Sequence, residues 1–131
     1  ATGMIGIIGT PQLDSSCVIW LGNRVGKLVS NCIYHTVKAT IGEITSPTEV
    51  EAIDGLLMAT QYDIPWREDI FKGWDYYDIS QSFEFRKAGY KVMVLPADEP
   101  WCFHDDGILE LSEYYKTRDI FMQEYSDMLS C

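Results

Sequence analysis

The stretch SFEFRKAGYKVMVLP, residues 82–96, constrains this chain more than any other. Ile79, Ser82, Phe83 and Arg86 fall on one helical face. Gly89 stands where a helix ends in a left-handed residue. Residues 91–95 form a short β-rich run closed by Pro96. A helix, a turn and a strand are therefore expected over 79–95. Asp78 or Ser80 can cap the helix start, because a side-chain oxygen there accepts a backbone N–H that lacks a helical partner.

Around this block the pattern is less regular. Residues 4–8 are an apolar run expected to be one buried strand, closed by Gly9, Thr10 and Pro11. Residues 17–21, 28–30, 34–39 and 49–53 are candidate strands separated by glycine, asparagine and proline breakers. Residues 54–60, DGLLMAT, are apolar almost throughout, so a central strand covered on both faces is expected. An aromatic and acidic loop over 62–74 follows. The segment 101–107, WCFHDDG, is compact and carries His104. A last helix is expected over about 108–129, with Tyr114, Phe121, Tyr125 and Met128 as its apolar stripe. The expected architecture is a single α+β domain over residues 1–131: a mixed sheet, a helix after Asp78 and a long C-terminal helix.

The charge balance removes whole classes of function. A net charge of −10 argues against a nucleic-acid partner, which needs clustered Lys and Arg. No apolar stretch approaches the roughly 20 residues of a membrane span. Cys17, Cys32, Cys102 and Cys131 show no metal-pair spacing, so reduced thiols in a cytoplasmic compartment are expected. A buried strand so near the chain start, with no neighbour before it, points to a domain that begins upstream.

The order strand, acidic-aromatic loop, helix ending in AGY, strand, then a His-containing segment is similar to the second half of family 2 glycosyltransferases. It resembles most the bacterial glycosyltransferase-like group. The residues that carry the resemblance are EVEAIDGLLMATQYDIPWREDIFKGWDYYDISQSFEFRKAGYKVMVLP and PWCFHDDG, within 49–107. The opening GMIGIIGT resembles the strand after the metal-binding acidic motif of such enzymes. The resemblance implies a GT-A-like fold that moves a sugar from a nucleotide-sugar donor to a hydroxyl of a glycan or other acceptor. It also implies a divalent metal, Mn or Mg, held by an Asp-x-Asp motif in an N-terminal nucleotide-binding half. Neither that motif nor a Gly-rich phosphate loop occurs in residues 1–50, so that half is expected to be absent, leaving an acceptor-side portion inactive alone.

The resemblance places a catalytic base at Asp78, with Tyr77 standing where the family usually has Glu. Glu68 and Asp69 would orient acceptor hydroxyls. Trp66, Trp74 and Trp101 would form sugar-stacking walls. Asp54 and Gly55 would approach the donor sugar, and His104 would complete a metal shell. Read without the resemblance, Asp78 is a helix cap, Glu68 and Asp69 are a solvated loop, and the tryptophans are core. Asp54-Gly55 is then a plain turn, and His104 a packed or surface residue. The alternative function is a non-catalytic carbohydrate-binding module, or an assembly module in which an unpaired strand edge makes a homo-oligomer.

Overall fold

The structure is a computed structural model that describes residues 1–32, 35–107 and 111–129. Its strands are β1 (Thr2–Gly6), β2 (Ile8–Thr10), β3 (Val25–Cys32), β4 (His35–Gly42), β5 (Thr48–Val50), β6 (Ala52–Ile53), β7 (Ala59–Thr60), β8 (Lys91–Val94) and β9 (Phe103–Gly107). Its helices are α1 (Tyr77–Lys87) and α2 (Ser112–Glu124), with short 3₁₀ turns at Ile19–Leu21 and Ser126–Met128. The α+β composition expected from the sequence is present, but in two sheets rather than one.

The first sheet runs β5-β8-β1-β7, with β1 and β8 parallel at its centre. The second runs β4-β3-β2-β6. Here β9 lies parallel to β3 along Val29–Cys32, beyond the end that β2 occupies at Val25 and Gly26. The apolar run 4–8 is thus not one strand. It divides at Ile7, sending β1 into one sheet and β2 into the other. Met4 is buried in one apolar cluster, and Ile7 and Ile8 in another.

Three other expectations are corrected. Residues 17–21 are not a strand: Cys17 takes a left-handed φ of 57°, and the chain winds into the 3₁₀ turn. Residues 54–60 are not a central strand, because the Asp54 carboxylate accepts the Leu56 N–H at 2.9 Å and turns the chain at once. Only Ala59 and Thr60 pair, on a sheet edge, and both are exposed. Leu56 and Leu57 instead pack beside Ile7 and Ile8, while Met58 packs beside Met4. The segment 101–107 contributes a full strand, β9, rather than a compact turn. Tyr34, at the start of one expected strand, and residues 108–110, at the start of the last expected helix, lie outside the described residues.

The block 79–95 follows the expectation. Tyr90 N–H donates to the Phe85 carbonyl and Gly89 N–H to that of Arg86, which closes α1 with Gly89 at φ 93°. The helix is covered on two sides. Ile79 and Phe83 face Tyr76, Tyr114, Phe121 and Tyr125, while Phe85 faces Met4, Val92 and Val94 under the first sheet. The Tyr114, Phe121 and Tyr125 stripe of α2 is buried as expected, and Met128 packs at its margin. Among the described residues no helix is long and apolar enough to cross a membrane.

Candidate functional site

The start of α1 is pinned to the turn after β6. Tyr76, at φ 64°, ends the preceding loop in a left-handed conformation, and its hydroxyl donates to the Cys17 carbonyl at 2.7 Å. Asp78 therefore falls in the first helical turn and is not the cap residue. Its carboxylate accepts N–H groups from Gly55 at 2.9 Å and from Ile79 at 2.8 Å. One turn on, the Ser82 hydroxyl accepts the Ile53 N–H at 3.1 Å and donates to the Asp78 carbonyl at 2.8 Å. These bonds bring Asp54 beside Asp78, although 24 positions separate them in sequence.

A carboxylate withdrawn from water beside a second acid ionises only at a cost. Loss of water pushes the Asp78 carboxyl up to about 6, and the neighbouring Asp54 charge adds to this. The Gly55 and Ile79 N–H bonds pull the other way. Burial likewise raises the Tyr77 phenol, with Asp78 and Asp54 adding to the rise. Asp78 is thus a carboxyl raised towards neutrality, in the first turn at the positive end of a helix.

Asp54 opens onto a cleft of about 410 Å³. Its wall includes Ser30 on β3 and His104 on β9, which are direct partners across the parallel pair and so share a face. Trp20 from the first 3₁₀ turn and Arg24 before β3 also line it. The Trp20 ring rests on Tyr114 of α2, with centroids 4.8 Å apart. Trp20 and Arg24 were not singled out from the sequence, because 17–21 reads as a strand and Arg24 has no partner nearby in the chain.

A second cleft of about 790 Å³ is lined by Tyr77 together with Trp66, Glu68, Asp69 and Ser80. Here Arg67 is a hub: it meets Asp69 at 3.0 Å and Glu124 at 2.8 Å, with Glu84 at 3.8 Å. The Arg67 guanidinium holds the Asp69 carboxyl below its usual range, so Asp69 serves first as an ion-pair partner. Trp66 is 49% exposed and stands 6.4 Å from the Tyr77 ring. Trp74, 91% exposed, and Trp101, 56% exposed, line neither cleft. None of the three is core. Gly55 is needed for close approach of protein to protein, since a methyl there would overlap the Tyr77 hydroxyl and ring.

The structure therefore brings Asp54 and His104 to one cleft and Trp66, Glu68 and Asp69 to the other; Asp78 lines neither cleft but is bonded to the Gly55 amide and neighbours Asp54. Among the described residues no three His, Cys, Asp or Glu side chains come together to hold a metal ion. His104 is one donor, and the described residues do not complete a metal set around it.

A protein-family model described as a glycosyltransferase-like family matches residues 1–125. No curated protein and no solved structure matches the chain.

Proposed function

The chain belongs to the glycosyltransferase-like family, and from that premise we propose that it transfers a sugar from a nucleotide-sugar donor to an acceptor hydroxyl, with Asp78 as general base. The observation that carries this reading is the Asp78 carboxylate in the first turn of α1, fixed by the Gly55 and Ile79 amides next to Asp54, with its pKa raised to about 6. Such a group is still mostly ionised at neutral pH, yet basic enough to take a proton. As the acceptor oxygen attacks the anomeric carbon, the bond from that carbon to the donor phosphate breaks. The hydroxyl proton passes to Asp78, and the nucleotide leaves as the diphosphate. Gly55 and Ile79 hold the carboxylate in place through their amides, so the base needs no reorganisation. Attack opposite the leaving group inverts the anomeric centre.

On this reading the span is the acceptor side of a GT-A-like enzyme. Support comes from α1 leading into β8 parallel to β1, and from the resemblance of residues 49–107. The residues that hold the nucleotide, and the ligands that would join His104 on a metal, then belong to a donor half outside the span. The steps above use only this chain's carboxylate and amide groups. Asp78→Asn should lower the turnover of the enzyme that carries this domain by about 10²- to 10⁴-fold while leaving donor affinity intact. Undiminished turnover removes Asp78 from the base role. Titration of this chain alone with a nucleotide sugar and Mn²⁺ tests the donor half: tight, metal-dependent binding places the donor site within the span.

One observation favours a second reading, a non-catalytic glycan-binding module. Trp66 and Trp74 present indole faces to solvent from the same loop. A glycan array answered strongly by this chain without nucleotide, and lost on Trp66→Ala, supports that reading over catalysis.

A further inference from the structure

The cleft beside Asp54 is bordered by an arginine that stands apart from the other three of the chain. The chain has 20 acidic and 10 basic residues, so a cation is seldom far from an acid. Arg67, Arg86 and Arg118 each hold an ion pair with a carboxylate. Arg24 makes no ion pair with any described residue, and its side chain borders the 410 Å³ cleft instead. A half-buried guanidinium that protein acids have not claimed is matched to an anion from outside, because its planar fork pairs two oxygens of a carboxylate or phosphate at once.

The same wall carries Trp20, 39% exposed. Its ring is backed by Tyr114, so the indole is held rigidly with one side toward the cleft. An indole face packs well against the C–H face of a pyranose. The lining also includes Ser30, Asp54 and His104, three polar side chains suited to ring hydroxyls. Asp54 is also the neighbour of Asp78, which connects this cleft to the proposed base.

We propose that this cleft binds the acceptor, and that the acceptor is a sugar carrying a phosphate or carboxylate, its ring on Trp20 and its anion on Arg24. The inference rests on the transferase reading and names the substrate class of that site. Arg24 and Trp20 are binding residues here, and Asp78 acts on the hydroxyl they present.

Tryptophan fluorescence of the whole chain tests it, with glucose, glucose 6-phosphate, glucuronic acid and a nucleotide diphosphate sugar as probes. Quenching is expected with the phosphate or the uronate at concentrations where glucose gives none. Trp20→Phe should remove the signal, although Trp66, Trp74 and Trp101 remain. Arg24→Gln should weaken binding of the charged probe by about ten- to a hundredfold, the loss of one charge-assisted contact, and Arg24→Lys should restore part of it. Far-ultraviolet circular dichroism of each variant confirms that the fold is kept. Equal affinity for neutral and charged sugars overturns the proposal. So does Arg24-dependent binding of the nucleotide sugar alone, which would make this a donor site. Asp78→Asn separates the two readings. It should leave the quenching unchanged while lowering transfer by the enzyme that carries this domain about 10²- to 10⁴-fold, so a failed anion requirement leaves the base assignment standing on its own measurement.

Discussion

Asp78 is placed by two backbone amides and resists ionisation because of its surroundings, and both have consequences for stability. Its folded value of about 6 lies above the ordinary 3.8, so the native state prefers the protonated form. The resulting stabilisation is fully present below about pH 3.8 and is lost as the pH rises through about 6. The shift corresponds to about 3 kcal/mol at most. Asp78→Asn removes this titration. It also turns an amide N–H toward one of the two N–H donors, from Gly55 or Ile79, leaving a donor unpaired at a cost of about 1–3 kcal/mol. The native protein should therefore exceed the variant in stability by most at pH 4.5, with the gap narrowing towards pH 7.5. Urea denaturation of both proteins at the two pH values measures it. A gap that widens with pH would mean that Asp78 is ionised at no cost in the fold. The sequence carried half of this arrangement. The carboxylate at the head of a helix was legible from DISQSFEFRKAG, but its Asp54 neighbour was not. That contact spans 24 positions and depends on how β6 meets α1.

Element by element, legibility followed local chemistry. The unit α1, Gly89 and β8 was readable because every signal in it is local: spacing, a left-handed glycine and an apolar run closed by Pro96. The run 54–60 misled because Leu56, Leu57 and Met58 bury themselves on two different clusters from a turn, with no strand beneath them. Hydrophobicity reports that a residue is covered, not by which backbone. The division of 4–8 at Ile7 was equally hidden, since nothing in GMIGIIG marks a change of sheet. The Gly89 cap gives a clean element-scale prediction. A Cβ at Gly89 would meet nothing within 4 Å, so Gly89→Ala carries only the backbone cost of φ 93°. That cost is about 1–2 kcal/mol, and Gly89→Asn should cost less because Asn tolerates this region better. The urea midpoint should fall with an unchanged slope. An Ala variant as stable as the native protein would show that α1 ends differently in solution.

At the scale of the molecule, α1 is shared by two layers, with the first sheet on one side and an aromatic seam with α2 on the other. Phe121 lies at the middle of that seam, fully buried, with the rings of Tyr76, Phe83 and Tyr125 centred 5.2, 5.0 and 5.0 Å away. The seam also reaches the cleft, because Tyr114 on the same helix backs Trp20 and packs against Tyr76 at 4.9 Å. This is why the candidate site was only partly visible in the sequence: its stacking wall is assembled from residues 20 and 114, far apart in the chain. Phe121→Ala removes the central ring and leaves a cavity that three neighbouring aromatics cannot fill without moving. The cost should be about 3–5 kcal/mol, a large share of the roughly 5–15 kcal/mol available to a domain. For a chain of this length the melting temperature should drop by about 10–20 °C. Its neighbour Ile120, 42% exposed, is the internal control; Ile120→Ala should move stability by no more than about 0.5 kcal/mol. Calorimetric melting of the two variants reads the difference directly. Equal melting temperatures would mean that α2 does not dock through its Phe121 face. Trp20 would then lose its backing ring, and the cleft its rigid wall.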